Sequence, residues 1–193
     1  MNSTSRSLAF PKDRTAVCLH GRTAGYPYDF HGRFKREGAV LADTDNPGWR
    51  IIAEARGTVV VPPGTITLLE ILPDAARDLS FLQSIKSEDL DGLWLGNTFV
   101  NDDGLDHIAH LIGLEWLDIQ NNGAITDGGL TRLHALTALR HLGLHWTRIS
   151  DTGLDNLPDL SHLTYLDIWG CRVSSEAPIR FENRHPDCRI RTE

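Results

Sequence analysis

The chain has 193 residues, 40% of them apolar, with 19 Lys/Arg against 26 Asp/Glu for a formal charge of -7. That is enough for a sizeable core in one domain, or in one domain plus an extension. No apolar run approaches a membrane span, and the start Met1–Ser7 lacks the apolar stretch of a secretory signal. Cys18, Cys171 and Cys188 are odd in number and far apart, which points to a reducing, cytoplasmic setting rather than a disulfide framework.

Charge is spread unevenly. Residues 1–50 carry 8 Lys/Arg and 5 Asp/Glu, whereas residues 88–173 carry 4 and 13, a net -9. So acidic a stretch repels phosphate backbones, and nucleic acid is not expected as its partner.

Residues 1–48 read as an irregular N-terminal extension, broken by Gly21, Gly25, Gly32, Gly38 and by Pro11, Pro27, Pro47. Its aromatic cluster Tyr26, Tyr28, Phe30 and Phe34 is unusual for a disordered segment. Three arrangements stay open for it: docking across the acidic repeats, packing on the cap, or remaining free. Residues 49–87 read as an N-terminal cap. Thr58–Val61 and Thr65–Leu72 are strand-like and flank Pro62-Pro63-Gly64, which predicts an antiparallel β-hairpin. Such a hairpin would cover the open end of a repeat stack and its unpaired sheet edge. Leu79, Leu82 and Ile85 follow at three-residue steps, suiting a short helix.

Residues 88–173 hold one stretch repeated four times, beginning at Leu90, Leu114, Leu139 and Leu163, with spacings of 24, 25 and 24. Each copy reads Leu-x-x-Leu-x-(Leu/Ile)-x-x-(Asn/Thr/Cys), the period and pattern of a leucine-rich repeat. A turn and a helix of about ten residues are predicted after each strand. Asn101, Thr126 and Ser150 stand where an N-cap is wanted, and Asp102, Asp127 and Asp151 follow in the first turn. After Val173 the pattern breaks, and residues 174–193 read as a C-terminal cap ending in a short strand at Cys188–Ile190.

The (Ile/Val)-(Thr/Ser/Asn)-Asp-x-Gly-Leu turn at this period resembles the bacterial leucine-rich repeat proteins, relatives of the cysteine-containing class of these repeats. The resemblance covers about residues 79–190, including the ending Pro186-Asp-Cys-Arg-Ile190. It implies an α/β fold, a right-handed leucine-rich repeat solenoid that binds proteins on its concave face, with no catalytic residues and no cofactor.

The ninth motif position, Thr98, Asn122, Thr147 and Cys171, is expected to form an internal ladder bonded to turn backbone, with Cys171 buried and unreactive. Positions three, five, seven and eight lie on or beside the concave side. They supply the candidate partner-binding residues Trp94, Trp116, Asp118, Gln120, His141, His145, Trp146, Tyr165, Asp167 and Trp169. Four of the five tryptophans stand at these non-core positions, where no fold requirement places them, and such rings dominate binding hot spots. The competing reading is that the rings only pack across strands to stiffen a small sheet. His141 and His145 would lie about 13 Å apart along one strand, too far to share an ion, so no metal site is expected. No nucleotide loop or nucleophile elbow is present.

The sequence therefore predicts a non-enzymatic protein-interaction module. Its partner would be a protein or peptide carrying apolar and basic groups, met by the tryptophans and by Asp118 and Asp167. Carbohydrate or small-ligand binding by the same rings is the alternative.

Overall fold

The computed structural model describes residues 5–10, 17–23, 50–54, 57–61, 63 and 65–193. Ten strands are described: β1 (Arg6–Phe10), β2 (Val17–Thr23), β3 (Arg50–Glu54), β4 (Gly57–Val61), β5 (Thr65–Ile71), β6 (Gly92–Trp94), β7 (Trp116–Asp118), β8 (His141–Gly143), β9 (Tyr165–Asp167) and β10 (Arg189–Arg191). Eight form one sheet in the order β10-β9-β8-β7-β6-β5-β2-β3, and β1 pairs with β4. From β5 to β10 every pairing is parallel; β2 joins β5, and β3 joins β2, antiparallel. The fold is thus mixed α/β, with six parallel strands from stacked repeats.

Register follows the repeat. Gly92 pairs with Trp116, Trp116 with His141 and His141 with Tyr165, so one motif position faces itself along the stack. Alternation along a strand sends Leu93, Leu117, Leu142 and Leu166 inward, each 0% exposed. The other side of each repeat supplies Leu105/Ile108/Leu111 and Leu130/Leu133/Leu136 to the same core.

The predicted ten-residue helices are shorter. They appear as a 3₁₀ segment at Asp102–His107, an α-turn α1 (Asp127–Leu130) running into 3₁₀ at Thr131–Leu133, and α2 (Asp151–Asp155). The reason lies in the leucine spacing: steps of i, i+3, i+6 match three residues per turn better than 3.6. The caps sit where expected. Asn101 Oδ1 accepts from the Gly104 amide at 3.1 Å, Thr126 Oγ1 from Gly128 at 3.2 Å and Ser150 Oγ from Thr152 at 3.2 Å.

The N-terminal hairpin is not formed. β4 pairs with β1, and β5 has both edges taken, by β2 and by β6. β5 is the strand of a first repeat: Leu68, Leu69 and Glu70 stand opposite Gly92, Leu93 and Trp94, 24 residues on. With no free edge on β5, β4 must find another partner. The β1–β4 pair then does the capping, since Leu8, Phe10, Val59 and Val61 join the core cluster. Arg6 ties this pair to the first repeat, donating to Thr65 O at 2.7 Å and Asp89 O at 3.0 Å and lying 3.5 Å from Asp91.

Two strands, β1 and β2, also occur within residues 1–48, which the sequence marks as irregular. Their partners are distant in the chain, so no local period announces them. The cluster Tyr26, Tyr28, Phe30 and Phe34, and with it the docking of this segment, falls outside the described residues. At the other end, α3 (Glu176–Arg184) buries Ala177, Pro178 and Phe181, and β10 follows it. Pro178 breaks the leucine pattern yet stands in the first turn of α3, where a missing N–H costs nothing. Among the described residues, no helix is long and apolar enough to cross a membrane.

Candidate partner-binding face

Two sets of polar bonds hold the strands and turns that present this face. The first is the predicted ladder. Asn122 is fully buried. Its Oδ1 accepts from the amides of Thr98 and Val100, both at 3.1 Å, and its Nδ2 donates to Leu95 O at 2.8 Å and Ile119 O at 2.9 Å. Thr98 Oγ1 donates to Leu95 O at 2.5 Å and Thr147 Oγ1 to Leu144 O at 2.6 Å. Cys171 Sγ donates to Leu144 O at 3.2 Å. Cys171 is half-buried rather than buried, and burial raises its thiol pKa, which suits a structural role.

The second set is absent from the sequence reading. Asp102, assigned there only to the helix dipole, accepts from the amide and hydroxyl of Thr126 in the next repeat at 2.8 and 2.6 Å. Asp127 does the same with Ser150 at 2.8 and 2.6 Å, and Asp151 with Ser174, both at 2.6 Å. The two Ser174 bonds, helped by Arg180, hold the Asp151 carboxyl below its usual range. A Cβ at Gly129 or Gly153 would run into the carboxylate of Asp102 or Asp127, so the glycine of each turn leaves room for its neighbour's aspartate. The recurrence of Asp with a Ser/Thr 23–24 residues later was the available signal.

On the face itself, glycines and rings alternate. The Trp116 ring lies beside Gly92, where a Cβ would sit 3.5 Å from Cε3. Trp94 folds over Gly96, two residues on in the turn that follows its own strand. Asp118 leans over Gly143 on β8, where a Cβ would come within 2.8 Å of its Cγ. Trp146 lies over Gly170, with Cδ2 at 2.9 Å from such a Cβ. One continuous row follows: Trp116 and His141 have ring centres 5.3 Å apart, and His141 stacks on Tyr165 at 4.7 Å and 11°. In the next row His145 and Trp169 are 6.1 Å apart, and Trp146 meets Trp169 edge-on at 5.4 Å and 72°.

The expectation that all ten candidates face solvent does not hold. Trp94, Trp116, Asp118, His141 and Asp167 are buried, at 1–7% exposure. Gln120, His145 and Tyr165 are half-buried, while Trp146 and Trp169 are open at 52% and 38%. The strand pattern tells which way a Cβ points, not whether a flat side chain then lies down over a neighbouring glycine. The candidates come together in β7–β9 and the turns that follow, with Trp94 on β6.

Electrostatics follow from this burial. Asp118 accepts one hydrogen bond, from the Gln120 amide at 2.9 Å. Burial raises its pKa to about 7; that bond and His145 oppose the rise, and Asp167 adds to it. Burial also lowers His141 to about 3. Burial pushes Asp167 up as well, but His145, the Trp169 amide and Arg191 outweigh it and hold the carboxyl below the usual range. His145 Nδ1 lies 3.2 Å from Asp167 Oδ2, outside the alignment of a hydrogen bond. Arg191 of β10, overlooked in the sequence, reaches Asp167 at 3.0 Å and covers the Trp169 ring at 5.0 Å. Asp167 is thus already neutralised from within, and neither carboxylate is free to receive a partner's cation. Among the described residues, no group of three metal-ligating side chains converges.

No protein-family model matches the chain, and no curated protein matches it either. Among solved structures it is similar to a chain in the crystal structure of the Rad7 and Elc1 complex in yeast, at 18% identity and a TM-score of 0.53. That match covers 65% of this chain and 32% of the other. A second match is an internalin (inlF) from Listeria monocytogenes, at 20% identity and a TM-score of 0.46, covering 58% of this chain and 30% of that one. The chain thus spans about a third of the length of these two chains. At such identities the likeness to the yeast chain is one of fold, and it places this protein among repeat folds of the kind the strand register describes.

Proposed function

We propose that the chain is a non-catalytic protein-binding module, built as a right-handed leucine-rich repeat solenoid of the bacterial type and working in the cytoplasm. Contact with a protein or peptide would be made at the β8–β9 end of the face by Trp146, Trp169, Tyr165, His145 and Gln120. The buried Trp94, Trp116, Asp118, His141 and Asp167 would hold these in place. The observation that carries the reading is the edge-on pair Trp146–Trp169, both rings exposed, with Trp169 beneath Arg191. Rigid, partly exposed aromatic rings contribute area at little entropic cost, which is what a binding hot spot needs. That the similar yeast chain comes from the structure of a complex of two proteins is in keeping with this use of the fold. The decisive experiment is affinity capture from the native host, followed by identification and direct titration of the captured protein. The wild type should bind it, and the Trp146→Ala/Trp169→Ala variant should lose at least about thirtyfold in affinity, about 2 kcal/mol. Equal binding by both proteins would refute the assignment. Binding on a glycan array, lost in the same variant, would establish the carbohydrate alternative instead.

A further inference from the structure

The edge beside this face carries a second set of groups that the fold leaves unused. Phe99, Trp146 and Trp169 are the aromatic members of the exposed large hydrophobics among the described residues, and all three follow a repeat strand. Phe99 is 85% exposed with φ of 62°, so neither packing nor backbone preference holds the ring outward. Beside it is a hollow of about 490 Å³, lined by Asn97, Phe99, Asn121, Gly123, Ala124 and Arg148.

Charge is the second observation. Residues 88–173 contain four basic side chains. Two of them are paired: Arg132 with Asp103 and Asp106, and Arg140 with Glu115 at 3.3 Å. The other two, Arg148 and Arg172, are exposed and, among the described residues, make no ion pair, although 13 Asp/Glu share this stretch. They hold equivalent places in consecutive repeats: Arg148 N donates to Ile125 O at 2.9 Å, and Arg172 N to Ile149 O at 2.8 Å. Neighbouring rungs are about 5 Å apart, so the two arginines stand on adjacent rungs, in the same place after the ladder residue that Phe99 holds in its own repeat. Like charges so placed repel, and an anionic partner relieves the repulsion.

We infer that this edge docks an acidic, aromatic-bearing segment of a partner protein, its carboxylates on Arg148 and Arg172 and its ring beside Phe99. This names the partner chemistry of the module proposed above and rests on that reading. It replaces the basic partner that exposed Asp118 and Asp167 would have favoured. The surrounding net charge of -9 disfavours a phosphate backbone, whose many charges extend past the arginine pair, but tolerates a peptide with two carboxylates.

The test uses two short fluorescein-labelled peptides, one alternating Glu and Phe, the other Lys and Phe, titrated by anisotropy against the full chain. The Glu–Phe peptide should bind about tenfold tighter, and raising salt from about 50 to about 300 mM should shrink the difference. Arg148→Glu/Arg172→Glu should reverse the preference, with an unchanged circular-dichroism melt showing that the variant folds. Phe99→Ser should weaken both peptides. Equal affinities, a preference for the Lys–Phe peptide, a preference that survives the double reversal, or no binding of either peptide each overturns the inference. None of these decides the capture experiment, which varies Trp146 and Trp169 and leaves both arginines intact.

Discussion

The ladder beneath the turns and the columns across the sheet face repeat with one period, yet they obey different rules. Down the ladder run Thr98, Asn122, Thr147 and Cys171, all small and polar, and all four bond the same kind of carbonyl beneath the turn. Across the face run Gly92, Trp116, His141 and Tyr165, or Trp94, Asp118, Gly143 and Asp167, with no constancy of size or charge. Where every repeat must satisfy the same buried backbone groups, chemistry repeats. Where it need not, glycine and bulk alternate, and Trp116, Asp118 and Trp146 each lie against a glycine of the neighbouring repeat. Stability should therefore respond most to the ladder, and binding most to the face.

The largest effect expected is at Asn122. Asn122→Leu removes bonds to the amides of Thr98 and Val100 and to the carbonyls of Leu95 and Ile119 in a site without solvent. The loss should be about 3 kcal/mol, the upper end for stranding a buried polar group. A denaturant midpoint that does not move would mean that water replaces these bonds.

That prediction was available from the sequence alone, as were the stacking of the repeats, the helix N-caps at Asn101, Thr126 and Ser150, and most of the core, because each rests on a pattern within one repeat. What escaped detection rests on pairs far apart in the chain. β4 pairs with β1 rather than with adjacent β5, and Asp127 belongs to Ser150 of the next repeat. The candidate face is half legible: the motif positions stack into columns as the repeat predicts, but period two gives a direction and no depth, so it does not tell that Asp118 and Asp167 are buried. Phe99, Arg148 and Arg172 drew no notice, since an exposed residue in a turn has no pattern to violate.

The second expected effect is on pH dependence, and it belongs to the face. Asp118, raised to about 7 from 3.8, keeps a proton in the folded state that the unfolded chain has lost, so its contribution falls as pH rises through that window. His141, lowered to about 3 from 6.5, is neutral when folded while the unfolded chain is charged, so its contribution falls as pH drops below 6.5. Between about pH 4 and 6.5 the two slopes, each about 1.4 kcal/mol per unit, oppose and cancel. Asp118→Asn removes one of them. The variant should gain on the wild type by about 1.4 kcal/mol per unit from pH 4 to 7 and should itself lose stability steadily below pH 6.5. Parallel stability profiles for the two proteins would contradict the burial of Asp118.

A smaller effect tests the alternation of glycine and bulk. In Gly143→Ala the new methyl would stand 2.8 Å from Asp118 Cγ, and the carboxylate must swing aside at a cost of about 1–3 kcal/mol. The same substitution in an Asp118→Ala background should cost less, because the group that filled the space is gone. If the two costs are equal, Gly143 serves the strand backbone and not its neighbour's side chain.

The smallest effect on folding, and the largest on binding, is expected at Trp146. Its ring packs on Gly170 and the edge of Trp169 but is 52% exposed, so Trp146→Ala should change stability by less than about 1 kcal/mol. The same change should weaken the captured partner by about 2 kcal/mol or more, the mark of a hot spot. Trp116→Ala is the control that completes the comparison: that ring is 1% exposed, and its loss should cost about 3 kcal/mol in stability. A face built for binding must separate these two responses, with the exposed ring governing affinity and the buried ring governing stability. If Trp146→Ala leaves affinity intact while Trp116→Ala lowers stability and affinity together, the rings stiffen the sheet, and the partner binds elsewhere on the molecule.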